Sequence, residues 1–177
     1  MSAVTPRTLD RTRRCLATAR AVAGGVADPE LPMVTISDLG ILRDVAYDGD
    51  ALVVTITPTY SGCPAIGAIR ADIDAALRAA GFDAVEVRTA LHPAWTTDWV
   101  TADGRRKLAD HGISPPQRKA RESGPVPLTL AMPIRSLHCP HCGANDSYET
   151  SHFGSTACKS LHRCRACGEP FEHVKEI

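Results

Sequence analysis

Thr57-Pro58-Thr59-Tyr60-Ser61-Gly62-Cys63-Pro64 joins an apolar run to a helical pattern, and the predicted fold of the first half of the chain is built around it. Pro64 suits the first position of a helix, because its missing N–H would have no partner there anyway. Cys63 is therefore predicted to be the N-cap, where unpaired backbone N–H groups and the helix dipole favour a thiolate. The stretch predicts a reactive cysteine; the alternative left open is a buried cysteine that only fills a tight turn.

Strand patterns lie on both sides of this stretch. Residues 41–47 and 51–57 predict two strands, and Asp-Gly between them is a strong hairpin signal. A third strand is predicted over 82–91, after a helix that ends at Gly81. The apolar positions expected to face the core are Leu52, Val54 and Ile56 of the second strand and Ile66, Ile69, Ile73 and Leu77 of the helix. The sequence thus predicts an α/β (α+β) domain, a small mixed sheet with flanking helices, and puts Cys63 on a strand–loop–helix junction.

Two carboxylates precede this sheet on a loop that prolines stiffen. Asp28 and Glu30 alternate with Pro29 and Pro32, after an amphipathic helix that ends near Gly24-Gly25. Such carboxylates could orient a metal, cap the next element or simply be solvated, and solvation is the simplest interpretation.

The sequence predicts three segments: a first domain over 1–116, a linker over 117–127 and a second domain over 128–177. Thr97 is predicted to cap a short helix that runs to about His111, and Trp95 and Trp99 are expected to pack against the sheet. The linker is charged and interrupted by glycine and proline.

Four of the seven cysteines form two C-x-x-C pairs near the end of the chain. Cys139 and Cys142 are separated from Cys164 and Cys167 by a gap of 21 residues, and a glycine follows each pair. Two such knuckles predict a zinc ribbon with four thiolate ligands, which leaves no open position for a substrate. The zinc is therefore expected to be structural.

Composition excludes several classes of partner. The chain carries 20 basic and 20 acidic side chains, and the second domain has no basic excess, so nothing favours nucleic acid or an anionic membrane. It has no apolar run that could cross a bilayer, and its cysteine pattern suits a reducing compartment, so we expect a cytoplasmic protein. Cys158 remains as a spare ligand or a second thiol acting with Cys63.

Several motifs resemble known families. The SufT-like iron–sulfur assembly family is suggested by Asp28-Pro29-Glu30-Leu31-Pro32, Ser37-Asp38-Leu39-Gly40 and the stretch that contains Cys63. With segments 93–99, 112–116, 150–159 and 169–171, these motifs are similar to the PaaD family (also called PaaJ), the D component of the bacterial phenylacetyl-CoA epoxidase system. The resemblance covers nearly the whole chain.

This resemblance implies an unusually reactive Cys63 and a role in maturing iron–sulfur or other iron centres during aerobic phenylacetate degradation. The implied client is the ferredoxin-type reductase component of the oxygenase, or else its di-iron subunit. One thiolate cannot hold a stable cluster alone, so any transient iron or cluster on Cys63 would be shared with Cys158, a second subunit in a homodimer or the client. Asp28 and Glu30 would assist if the fold brings them close.

Three functions compete at this point. The first is an accessory assembly factor that is not an enzyme, and the second is a structural subunit that stabilises the oxygenase complex. The third is an enzyme with Cys63 as a covalent nucleophile, against which no histidine lies near Cys63 in the sequence to act as a base.

Overall fold

The computed structural model describes residues 6–117 and 137–176, with side chains described from Cys15 onward. The chain divides into two compact units, Met1–Trp95 and Thr96–Ile177. No helix within the described ranges has the length and the apolar character needed to cross a bilayer.

The first unit is a three-stranded mixed sheet with two helices. The elements in chain order are α1 (Pro6–Gly24), β1 (Leu42–Asp48), β2 (Ala51–Ile56), α2 (Ile66–Ala79) and β3 (Val85–Thr89). Strand β1 pairs antiparallel with β2, and β2 pairs parallel with β3, which confirms the predicted mixed sheet.

Local sequence explains these elements. Gly49 has a φ of 59°, the left-handed conformation that a tight hairpin turn requires and that glycine adopts without steric cost. Leu52, Val54 and Ile56 are buried along the central strand, as predicted. The apolar stripe of α2 buries Ile69, Ile73 and Leu77, whereas Ile66 at the helix start is only partly buried. Burial of such side chains is the main stabilising contribution to a unit of this size.

Trp95 closes the first unit. Its side chain is buried, and its indole Nε1 donates a hydrogen bond to the backbone oxygen of Leu39 at 2.9 Å. The bond satisfies the one polar atom of a large apolar side chain, as buried tryptophans usually require. The bond connects Trp95 to the turn that precedes β1. In the same turn, Ile41 and Leu42 both donate from their backbone N–H groups to the oxygen of Ile36.

The second unit contains a four-stranded sheet. A short 3-10 helix (Thr97–Trp99) precedes the remaining elements, which are α3 (Ala102–Asp110), β4 (Ile113–Ser114), β5 (Ser147–Ser151), β6 (Lys159–Cys164) and β7 (Pro170–Val174). The strand order is β4-β7-β6-β5. Strand β4 pairs parallel with β7, and the other pairs are antiparallel.

The predicted cap at Thr97 is wrong. Thr101 caps α3, because its Oγ1 accepts a hydrogen bond from the backbone N–H of Gly104 at 2.9 Å, and Thr96 caps the short 3-10 helix. Thr97 is instead fully buried inside that short helix. Three threonines lie within six residues here, so the sequence offered several equivalent caps and its pattern did not distinguish them.

Along the chain, the boundary between the two compact units falls between Trp95 and Thr96, earlier than the boundary at residue 116 in the sequence prediction. Helix α3 and strand β4 belong to the second unit, in which β4 pairs with β7. This pairing involves only two residues of β4, which is too short a strand to predict from the sequence. The linker predicted over 117–127 lies outside the described residues apart from Gln117. The division into 1–116, 117–127 and 128–177 therefore stays a prediction.

Candidate metal centre and cysteine turn

The four paired cysteines lie on two matching turns of the second unit. One turn precedes β5, and the other joins β6 to β7. In each turn the backbone N–H of the glycine that follows the pair donates to the first cysteine, Gly143 to Cys139 at 2.8 Å and Gly168 to Cys164 at 3.1 Å. Both glycines have positive φ, 75° and 80°, which an L side chain would strain. The glycine at this place in each motif therefore bends the backbone around the sulfurs.

The four sulfurs fit one tetrahedral ion. All four Sγ atoms lie within 4.8 Å of one another, and the two cross-pairs, Cys139 with Cys167 and Cys142 with Cys164, are each 3.7 Å apart. Zinc–thiolate bonds of about 2.3 Å would place tetrahedral sulfurs about 3.8 Å apart. The donor set and the spacing therefore match a zinc site with four thiolate ligands.

Local electrostatics shift the pKa values of Cys164 and Cys167 in opposite directions. Hydrogen bonding from the backbone N–H of Cys167, with that of Ala166, outweighs burial and lowers the pKa of Cys164 to about 7. The N–H of Glu169 favours the thiolate of Cys167, but burial and the neighbouring sulfurs raise its pKa to about 12. Adjacent thiolates repel one another, so a cation is what lets all four be ionised together.

A small core supports the centre. Cys139 and Cys164 are buried with Leu137 and Phe171, while Cys142 and Cys167 are exposed. No histidine joins the metal group in the described part of the chain. His162 instead contacts Ser160 at 2.9 Å and stacks on Phe171.

Cys63 lies in a turn ahead of α2, and the predicted N-cap position is wrong. Helix α2 begins at Ile66, and its N-cap is Ala65, in right-handed helical conformation and without a side-chain cap. The backbone N–H of Cys63 donates to Tyr60 at 3.2 Å, and its carbonyl accepts from Ile66 at 3.4 Å. One extra turn thus separates the thiol from the helix, because Pro64 begins that turn and not the helix. Cys63 is half-buried and forms no disulfide.

Asp28 acts on its own loop. Its side chain is buried, and Oδ1 accepts hydrogen bonds from the backbone N–H groups of Glu30 at 2.8 Å and Leu31 at 2.9 Å. The interpretation of Asp28 as a capping group is therefore the one that the contacts favour over solvation. Glu30 is half-buried. The four-cysteine cluster is the only group of three or more potential ligands that could share an ion within the described ranges, so Cys63, Asp28 and Glu30 do not form a second one.

Thr57 is a residue that the sequence interpretation passed over. It follows β2 at the start of the turn stretch, is 2% exposed, and its backbone N–H donates to Ile41 at 2.9 Å. Its Oγ1 is buried without a hydrogen-bond partner, which costs free energy unless something else occupies that partner's place. The sequence offers one signal for this role, a threonine between the apolar Ile56 and the rigid Pro58.

Cys158 lies apart from the metal centre. It is half-buried between β5 and β6, and its Sγ is 3.0 Å from Thr156 Oγ1. The four paired cysteines form the metal group without it.

One comparison with known proteins concerns the C-terminal third of the chain, and another concerns most of it. Residues 123–175 match the family model described as PaaD zinc beta ribbon domain. Over 161 residues the chain is 44% identical to an Escherichia coli (strain K12) protein, with 89% of this chain and 90% of that protein covered. The name of that relative gives it as a subunit, the D component, of a "Putative 1,2-phenylacetyl-CoA epoxidase". The chain belongs to the PaaD family.

The first unit of this PaaD family member has its own relatives. Residues 17–89, which include Cys63, match the family model described as iron-sulfur cluster assembly protein. A crystal structure from Bacillus anthracis, titled as domain of unknown function DUF59, has a TM-score of 0.52 and 28% identity. That match covers 56% of this chain and 96% of the Bacillus domain. The predicted resemblance and the predicted fold class are thereby confirmed.

Proposed function

We propose that this PaaD family protein is an accessory factor that helps mature the iron–sulfur or iron centres of a phenylacetyl-CoA 1,2-epoxidase in aerobic phenylacetate degradation. The observation that carries the proposal is a half-buried thiol, Cys63, inside the segment that matches the iron–sulfur cluster assembly model. The name of the Escherichia coli relative supports the epoxidase as the system served.

Cys63 is the group that handles iron in this account. Thiolates are preferred ligands of cluster iron, but a stable cluster needs several of them. No second cysteine lies in residues 16–138, so ligands from a client or a second copy would complete the coordination. Cargo held in this way leaves easily, which suits delivery. In this account Asp28 keeps the proline loop in shape, and the half-buried Glu30 is a candidate contact for the iron.

Zinc has a separate, structural role in the second unit. Cys139, Cys142, Cys164 and Cys167 would supply all four of its ligands, which leaves no position for a substrate. The ion supplies cross-linking and charge compensation when bound. Besides two of the cysteines, the described core cluster at the metal centre consists of Leu137 and Phe171, with Ala144 packed against it, so we expect the second unit to depend on the ion for its fold.

The partners in this proposal are the other epoxidase subunits. The first candidate client is the ferredoxin-type reductase component, and the second is the di-iron subunit. The protein would act without catalysing a reaction, in the cytoplasm, where a reducing environment keeps cysteines as thiols.

A structural subunit of the epoxidase is the second candidate function, and the word "subunit" in the relative's name favours it. The two candidates differ in their dependence on Cys63. A structural subunit would be present in stoichiometric amounts in the purified complex and would be indifferent to Cys63→Ser.

Anaerobic purification tests the proposal. Wild type, Cys63→Ser and the control Cys158→Ser would be analysed for zinc, iron and sulfide. We expect zinc in all three proteins, and iron that is present in wild type and lost in Cys63→Ser. Zinc without iron in wild type would favour the structural role.

A further inference from the structure

Phe153 is the most exposed large apolar side chain of the described residues, at 62%. It lies in the connection between β5 and β6, here called the Phe153 loop and defined as residues 152–158. Neither the metal centre nor the Cys63 turn uses this loop. Single exposed apolar residues are common, so the argument depends on how the loop is held.

The backbone of the Phe153 loop is closely tied. Ser151 Oγ donates to the carbonyl of Phe153 at 2.8 Å and accepts from its N–H at 3.3 Å. The N–H of Gly154 donates to Lys159 at 2.8 Å, and the N–H of Lys159 donates to Thr156 at 3.1 Å. Phe153 is thus presented from a fixed backbone.

A partly buried ion pair anchors the same loop. Lys159 Nζ lies 2.8 Å from Glu172 Oε2, and the lysine side chain is only 4% exposed. The other oxygen of Glu172 accepts the backbone N–H of Ser155 at 3.0 Å. A Cβ added at Gly154 would lie 3.0 Å from that oxygen, so a larger residue would crowd the carboxylate. Buried ion pairs add little net stability, and this one fixes the shape of the loop.

Positive charge lies beside the exposed ring. Lys175 Nζ is 4.6 Å from the centroid of the Phe153 ring and donates to the carbonyl of His152 at 3.2 Å. The His152 ring meets Phe153 edge-on at a centroid distance of 5.1 Å. The matching surface on a partner is therefore an apolar pocket for the ring with acidic side chains at its rim.

We propose that the Phe153 loop is the surface by which the second unit docks onto another subunit of the epoxidase, with Phe153 inserted into an acid-rimmed apolar pocket. Aromatic anchors of this kind dominate interface energetics, and a loop already fixed loses little conformational entropy on binding. The identity of the partner rests on the proposed function. The geometry of the loop does not.

Binding of the zinc-loaded full chain to each purified epoxidase subunit, by calorimetry, tests this proposal. We expect wild type to bind one subunit and Phe153→Ala to bind it at least about 30-fold more weakly. Phe153→Tyr should bind within about threefold of wild type, and Lys175→Ala should weaken binding and reduce its salt dependence. The matched control is Tyr148→Ala, which removes another exposed aromatic of the same unit, 38% exposed and outside the loop.

A second variant separates the ring from its support. Glu172→Gln keeps Phe153 and weakens the anchor of the loop, so it should weaken binding less than Phe153→Ala while the zinc content stays unchanged. Binding by Phe153→Ala equal to wild type would overturn the proposal, as would a wild type that binds no epoxidase subunit. A self-association that Phe153→Ala abolishes, with subunit binding intact, would assign the loop to a second copy and also overturn it. Cys63→Ser should bind as wild type does, so failure of docking and failure of iron handling are distinguishable.

Discussion

Cys139 Sγ and Cys167 Sγ lie 3.7 Å apart, the spacing of two thiolates on one ion, although they are 28 positions apart in sequence. Removal of this ion should unfold the second unit and leave the first unit folded. After chelation, hydrogen exchange should lose its protection in β6 and β7 and keep it in β2. Cys164→Ser should show the same loss without a chelator, while Cys158→Ser should retain one zinc per chain. Protection of β6 that survives metal removal would contradict a structural role for the ion.

Glu176 predicts a change of stability at acidic pH. Burial opposes its charge, but hydrogen bonds from His173 and from the backbone N–H of Gln117 outweigh it and lower the pKa from 4.5 to about 2. The stabilisation is therefore present above about pH 4.5 and lost as pH falls toward 2.

Glu176→Gln should be less stable than wild type by about 2 kcal/mol at neutral pH. The difference should disappear at the acidic end of that range. Urea unfolding of both proteins measures it, and only pH values at which both proteins retain their zinc are compared, because loss of the ion alone would remove the difference. A constant difference across the whole range would contradict the assignment.

Thr57 predicts a stabilising substitution. Its Oγ1 is buried without a hydrogen-bond partner, and valine has the same shape without the hydroxyl. Thr57→Val should therefore raise the free energy of unfolding of the first unit by about 1 kcal/mol. Thr97→Val is the matched variant in the second unit, where Thr97 Oγ1 is likewise buried without a hydrogen-bond partner. Destabilisation by Thr57→Val in denaturant unfolding would mean that a bound group occupies the hydroxyl.

Replacing Gly112 with alanine should destabilise the protein, whereas the same replacement at Gly67 should not. Gly112 has a φ of 77°, and a Cβ there would lie 3.1 Å from His141 Cε1. Gly112→Ala should destabilise the second unit by about 1–2 kcal/mol. Gly67 in α2 has open space around the Cβ position, so Gly67→Ala should stabilise the first unit by about 0.5 kcal/mol. Equal thermal midpoints for wild type and Gly112→Ala would contradict the contact.

Local patterns gave the parts of the fold that the sequence could predict. The Asp-Gly hairpin, the stripe of α2 and the two C-x-x-C knuckles each depend on residues close in sequence, and the structure contains all three. Helix α2 starts later than the sequence predicts, because a proline fits a turn as well as a helix start.

Relationships between distant residues escaped the sequence interpretation. The β4–β7 pairing joins segments 59 residues apart, Ile113 with Glu172, and has no local pattern. The anchor of the Phe153 loop likewise depends on Glu172, which no spacing connects to Lys159. Residue type leaves Asp28 three roles, a metal ligand, a cap or a solvated group, and its hydrogen bonds to the backbone N–H groups of Glu30 and Leu31 make it a cap of its own loop.

The most direct test of the central claim is the iron and sulfide content of the epoxidase reductase component, purified from cells that carry wild type or Cys63→Ser. Glu176→Gln, which alters only the second unit, serves as a control for general loss of stability. The account predicts a reductase with its full iron and sulfide content in cells that carry wild type or the control. With Cys63→Ser, at equal protein levels, the iron and sulfide content should be at least about tenfold lower. An equally filled reductase in the Cys63→Ser cells would contradict it.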